Sequence, residues 1–223
     1  GYTVVDASTV IATHLSQVVQ DNAQALLGHE EAQKLLDGLK KTNQRLVEDL
    51  IPKLLPLSVL VKVLQNLLSE HVPVRDIRSI LEVLAEYGPR NQDTGFLTGQ
   101  VRAALGRLIV QQINGSNAEL PVITLDFSLE RILQQSLETM SNTAMTLEPN
   151  LANRMLLALR DAHTQREAAG QPSVLLVADG LRDFLARFAR PALKGLHVLG
   201  FNEVPSDTQI RIVATVGDST NRG

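Results

Sequence analysis

Cysteine and tryptophan are absent from this 223-residue chain, and aromatic residues make up only 3% of it. Without cysteine there can be no disulfide, no thiolate metal ligand and no cysteine nucleophile. With so few aromatics there is little to build a stacking platform for bases. A surplus of positive charge is missing too. The formal net charge is −3, with the acidic excess concentrated in neither half, whereas phosphate binding needs a basic surface. No nucleic-acid partner is expected. Long apolar runs are also lacking. The richest stretch, residues 50–68, is interrupted by Pro52, Lys53, Pro56, Lys62, Gln65 and Asn66, short of the ~20 residues a membrane span requires. This stretch of chain is therefore expected to make no membrane contact. The start carries neither the basic nor the apolar segment of a signal peptide.

What is present is order along the chain. Tyr2-Thr3-Val4-Val5 is strand-like, so the chain opens inside a strand, as if cut from something larger. From there to Asn114 the apolar spacing is helical. Asp6 or Ser8 can cap a helix with the stripe Ile11, Leu15, Val18, Val19 and Leu26, ended by Gly28. Ala32, Leu35, Leu36 and Leu39 mark a short helix, and Leu46, Val47, Leu50 and Ile51 another, stopped by Pro52. Pro56 suits a first turn before Leu60, Val63, Leu64, Leu67 and Leu68. Ile77, Ile80, Leu81 and Leu84 follow. A last helix carries Leu97, Val101, Leu105, Leu108 and Ile109 to Asn114-Gly115. The expectation is one compact subdomain of six short helices, from the first helix to Asn114.

After Asn117 the period changes. Val122-Ile123-Thr124-Leu125 and Val174-Leu175-Leu176-Val177 read as strands, the second apolar throughout, as for a strand covered on both faces. Helical spacing at Leu129, Ile132, Leu133 and Leu137, at Leu151, Met155, Leu156 and Leu159, and at Leu181, Phe184, Leu185 and Phe188 fills the gaps, with residues 140–148 a polar loop. His197-Val198-Leu199 and residues 210–216 complete the order β-α-α-β-α-β-β. In the last strand Ile210, Ile212, Ala214 and Val216 form one apolar face. This predicts a small α/β layer sandwich over 118–217, then a polar tail at 218–223. The whole is a multi-subdomain α+β fold.

Chemistry-bearing patterns are few. The histidines, His14, His29, His71, His163 and His197, are dispersed, and no metal site is expected. Gly-x-Ser-x-Gly, Gly-x-Gly-x-x-Gly and Gly-Lys-Ser/Thr are all missing, so neither a nucleophile elbow nor a phosphate cradle is available. No cofactor is expected. Gly99 and Gly106 are isolated helical glycines, expected where helices pack closely. Asp126 and Asp179 follow strands and precede helices, where either a catalytic acid or an N-cap can sit; capping is preferred. Arg182, Arg187 and Arg190 read as a solvated face whose arginines complement the helix dipole. Arg75-Asp76-Ile77-Arg78, near Glu70 and Glu82, is either a local ion-pair network or a charged subunit contact. Thr9 and Thr13 lie one turn apart beside Val5 and Val10. They can pack on a sheet or edge a shallow groove for a partner helix.

Several runs in order resemble the FHIPEP family of type III export gates. They are Tyr2-Thr3-Val4-Val5-Asp6-Ala7-Ser8-Thr9-Val10-Ile11-Ala12-Thr13-His14-Leu15, Leu26-Leu27-Gly28-His29-Glu30-Glu31, Leu64-Gln65-Asn66-Leu67-Leu68, Val72-Pro73-Val74-Arg75-Asp76-Ile77-Arg78 with Ile80-Leu81-Glu82, and Val122-Ile123-Thr124-Leu125-Asp126. The Val-Val-Asp and Ala-Thr-His-Leu runs favour the flagellar branch over the virulence branch. The resemblance implies a non-enzymatic platform at the cytoplasmic face of the bacterial inner membrane, from a parent whose membrane-embedded half lies outside this chain. It implies the last strand and helix of a first cytoplasmic subdomain at residues 1–28, then a helical subdomain at 29–117 and an α/β subdomain at 118–217. It implies a ring, a nonamer in the full protein, that docks export chaperones with their substrates and meets other export-apparatus components. In the family the chaperone dimple lies between the first two subdomains. Val5, Val10 and Thr13 match positions lining it, giving half a site. Ring contacts involve the helical subdomain, which favours Arg75, Asp76 and Arg78 as subunit-contact residues. The competing readings are a virulence export gate, a helical adaptor, and an α/β enzyme with substrate at Asp126 and Asp179.

Overall fold

The computed structural model describes residues 6–139 and 147–217, the side chains of 138 and 139 excepted. The strand expected at Tyr2–Val5, all but the last two residues of the 140–148 loop, and the tail at 218–223 lie outside the described residues. The chain divides into two units, Gly1–Ala104 and Leu105–Gly223.

The first unit is helical: α1 (Ala7–Asp21), α2 (Ala23–Leu26), α3 (His29–Leu50), α4 (Leu57–Ser69), α5 (Ile77–Tyr87) and α6 (Thr94–Ala104). Its core is aliphatic. Leu36, Leu60, Leu64, Leu67, Ile80, Leu81, Leu84 and Leu97 are each at most 1% exposed, so each contributes about 1.5–3 kcal/mol of transfer free energy. α4 and α5 present the expected stripes to this core. Two boundaries differ from expectation. The short helices at Ala32–Leu39 and Leu46–Ile51 are one element, α3, bent at Asn43 (φ −131°, ψ 54°). Gly28 does not end α1; it sits at the N-cap of α3, its amide donating to Glu31 Oε2 at 3.0 Å. The short-range pattern is the same either way, but the carboxylate three residues on selects the start.

The second unit holds α7 (Gly106–Asn114), β1 (Glu119–Leu125), α8 (Phe127–Thr139), α9 (Pro149–Ala168), β2 (Ser173–Val177), α10 (Asp179–Ala189), β3 (Leu196–Gly200), a 3-10 turn (Phe201–Glu203) and β4 (Gln209–Val216). The helix expected from Leu97 to Asn114 is interrupted at Leu105 (φ −87°, ψ 6°), giving α6 and α7. The strands form one four-stranded parallel sheet in the order β3-β2-β1-β4. Ile123, Leu125, Leu175 and Val177 meet Leu129, Leu133, Met155, Leu159, Leu181 and Leu185 in a continuous core, so α8, α9 and α10 cover one face of the sheet. β2 is buried at every residue, as its unbroken apolar run requires.

The two helical glycines behave differently. Nothing lies near Gly99, against expectation, whereas a methyl at Gly106 would overlap the backbone carbonyl of Glu203. Of the two, Gly106 is the one at which close approach demands glycine. Among the described residues no helix is long and apolar enough to cross a membrane.

Candidate interaction surface

α1 is the unusual element. Asp6 caps it, accepting from the Thr9 amide at 2.9 Å, from the Thr9 hydroxyl at 2.8 Å and from the Ser8 hydroxyl. The Ser8 hydroxyl first, and then the Thr9 amide and hydroxyl, hold its carboxyl far below the ordinary carboxylate range. The cap is well made, yet none of the 15 residues of α1 is buried. Val10 (54%), Ile11 (66%), Leu15 (61%), Val18 and Val19 are all exposed. At about 100° per residue, Ile11, Leu15, Val18 and Val19 share one arc. Val10 sits at its flank, and Thr13 lies beyond Val10 toward the polar side. Val10 and Thr13 are thus adjacent and exposed, while Val5 lies outside the described residues. Thr9 donates its hydroxyl to Asp6 and, like Thr13, is exposed. At the far end, Asp21 lies 4.0 Å from His71 Nε2, and His71 follows α4 with a φ of 58°.

The charged run before α5 is local in its contacts. Asp76 caps α5, accepting from Ser79 N at 3.2 Å. Arg78 Nε donates to Glu82 Oε1 at 2.8 Å, both side chains at least half exposed, and Glu82 raises the Arg78 pKa. Arg75 is exposed. Glu70 does not join them; it faces the buried Arg102 at 3.4 Å.

The acids at the strand ends are engaged. Asp126 accepts from the Ser128 amide at 2.9 Å and from its hydroxyl, contacts that lower its pKa. Asp179 is the first residue of α10 rather than its cap. Its Oδ1 accepts from Asn202 N at 3.0 Å and so ties β3's exit to α10. Among the described residues no group of three metal-ligating side chains exists.

The solvated reading of Arg182 is corrected. Arg187 and Arg190 are exposed, but the Arg182 side chain is 7% exposed. Its Nε lies 3.4 Å from Glu203 Oε1 (2% exposed) and donates to Val198 O at 3.2 Å. Burial pushes its pKa down and Glu203 pushes back. The sequence did carry the signal: Arg182, Leu185, Ala186 and Ala189 recur at i, i+3, i+4, i+7, which places Arg182 on the core face. Arg102, one turn after Thr98 in α6, is buried with it and with Leu97 and Val101.

Comparison with known proteins adds a second line of observation. The FHIPEP family model matches residues 1–209. Over 217 residues the chain is 47% identical to the flagellar biosynthesis protein FlhA of Salmonella typhimurium, covering 97% of this chain and 31% of that protein. The chain thus spans less than a third of that relative. Among solved structures it resembles the Chlamydia pneumoniae CdsV and CdsO protein complex (TM-score 0.87, 26% identity, 95% of this chain and 62% of that one). It also resembles the nonameric EPEC SctV-C (TM-score 0.82, 26% identity, 92% of this chain and 62% of that one).

Proposed function

The chain belongs to the FHIPEP family, and from that premise we propose that it is part of a flagellar type III export gate that docks chaperone–substrate complexes and assembles into a ring. The flagellar rather than virulence assignment rests on 47% identity to a flagellar relative against 26% to the CdsV and SctV structures. The gate acts as a binding platform, not an enzyme, at the cytoplasmic face of the inner membrane. Residues 1–28 belong to a first subdomain, 29–117 to a helical one and 118–217 to an α/β one.

The observation that carries the docking reading is α1, a capped amphipathic helix with its apolar arc and the neighbouring Val10 and Thr13 all open. Such a face needs a cover. One part of the arc packs on the remainder of the first subdomain, and the Val10–Thr13 flank, with Val5, supplies half of a small apolar patch for a chaperone helix. Nonameric SctV-C supports ring assembly, with Arg75, Asp76 and Arg78 at the subunit contact. The CdsV–CdsO complex supports a further export-apparatus partner.

The test is calorimetric titration of a flagellar export chaperone into the intact cytoplasmic half of the protein. Thr13→Met is expected to weaken binding by about tenfold or more without changing the melting temperature. Unchanged affinity overturns the reading. The present chain alone, holding half the patch, is expected to bind weakly or not at all, and a submicromolar dissociation constant on it would contradict the half-site.

A further inference from the structure

β4 ends the sheet order and, among the described residues, pairs only with β1. Gln209 N donates to Ala118 O on the β1 side. Strand alternation therefore turns the amides and carbonyls of Ile210 and Ile212 to the outer edge. Their side chains, expected to share one apolar face with Ala214 and Val216, are 45% and 62% exposed. The register shift pairs Ile210 and Ile212 with Leu120 and Val122 but Ala214 and Val216 with Ile123 and Leu125, which puts the two pairs on opposite faces of the sheet. Arg211 projects to the opposite face, where its Nε donates to Glu119 Oε2 at 2.6 Å. Arg166 of α9 approaches the same place. Its Nε donates to Pro172 O at 3.4 Å and its Nη2 is enclosed without a hydrogen-bond partner. Burial first, and then the charge of Arg211, lower the Arg166 pKa. Two guanidiniums thus lie in one place with a single carboxylate, Glu119, which pairs with Arg211.

An uncovered edge strand is a template for pairing, and natural sheets blunt such edges with charge, proline or bulges. β4 carries a register shift against Val122/Ile123 and the single charge of Arg211, but no proline. We propose that the outer edge of β4 receives an extended segment of a partner protein, paired strand to strand, whose residues alternate apolar side chains over Ile210 and Ile212 with carboxylates over Arg211. Backbone bonds supply the affinity and the two faces supply the specificity. Charge selects this occupant. An acidic strand neutralises the surplus guanidinium, whereas a second copy pairing β4 to β4 brings two such cationic spots together, an arrangement of like charges that destabilises cross-strand pairs.

The probe is a fluorescein-labelled, strand-length peptide of alternating Glu and Val, titrated with the full chain and followed by polarisation. The same peptide with Lys for Glu is the control. The Glu–Val peptide is expected to bind, to weaken as salt screens the contact, and to perturb the Ile210 and Ile212 amide resonances; the Lys–Val peptide is expected to bind at least about tenfold more weakly. Arg211→Glu, with its fold checked by circular dichroism, is expected to reverse that preference. Absence of binding, equal binding of both peptides, or an unchanged preference in Arg211→Glu overturns the proposal. So does protection of the Ile210 and Ile212 amides without peptide, which would mean that a second copy or the chain itself already covers the edge.

Discussion

α1 and α5 begin alike and end differently. Asp6 caps one through Thr9 and Asp76 caps the other through Ser79. Each carries aliphatic residues on one arc at helical spacing. Yet Ile77, Ile80, Leu81 and Leu84 are buried in α5, while no residue of α1 is. The difference teaches that apolar periodicity records a need for a covering surface without saying where that surface is. For α5 the cover lies in α3 and α6 of its own unit. For α1 the described residues do not provide it.

If burial and not spacing sets the energetics, charged pairs should divide in the same way. Glu203→Ala leaves Arg182 charged and enclosed and should cost about 3–5 kcal/mol in chemical denaturation. Glu82→Ala, which frees an exposed Arg78, should leave the midpoint unchanged. Equal effects would break the contrast. Next comes the direct comparison of helices: Leu84→Ala should cost about 2–5 kcal/mol, and Leu15→Ala, at a residue 61% exposed, should stay within about 0.5 kcal/mol. Thermal melts of both variants decide it. The glycines sharpen it further. Gly106→Ala forces the Glu203 backbone to move and should destabilise by about 1–3 kcal/mol, whereas Gly99→Ala, with open space around it, should stabilise by about 0.5–1 kcal/mol.

The smallest expected effect is a pH dependence confined to the start of α1. The folded carboxyl of Asp6 lies below its unfolded value of about 3.9. Its capping contribution is therefore complete above that pH and is lost as pH falls through the folded value. The Thr9 amide shift followed by NMR should stay level from neutral pH down through the ordinary carboxylate value of about 3.9 and move only in stronger acid. A change centred near neutrality would contradict the cap.

Much of this was legible in the sequence. The β-α-α-β-α-β-β order and the aliphatic stripes of α4 and α5 follow from hydrophobic period, because in those elements the cover is nearby. The misses share a physical cause: local pattern does not report three-dimensional neighbours. Asn43 bends α3 without ending it, Leu105 interrupts a continuous stripe, and Arg182 looks like a surface charge until Glu203, 21 positions on, is folded beneath it. The last strand's alternation predicts a single apolar face, but the register shift at Val122/Ile123 turns Ile210 and Ile212 to the face opposite Ala214 and Val216. The strand's place at the sheet edge, which leaves the two isoleucines open, depends on strand order. Of the candidate site, Val10 and Thr13 were singled out by family resemblance, and their exposure is shared by the whole of α1; the bond of the Thr9 hydroxyl to Asp6 was visible only in the structure.

Amide hydrogen exchange across α1 tests the central claim most directly, compared between this chain, the intact cytoplasmic half, and that half with chaperone bound. A capped but unpacked helix of this length is marginal in water, so its amides should exchange fast here while those of α5 are protected. They should slow in the intact half, and slow again around Val10 and Thr13 when chaperone is added. Protection of α1 equal to that of α5 in this chain alone would contradict the account.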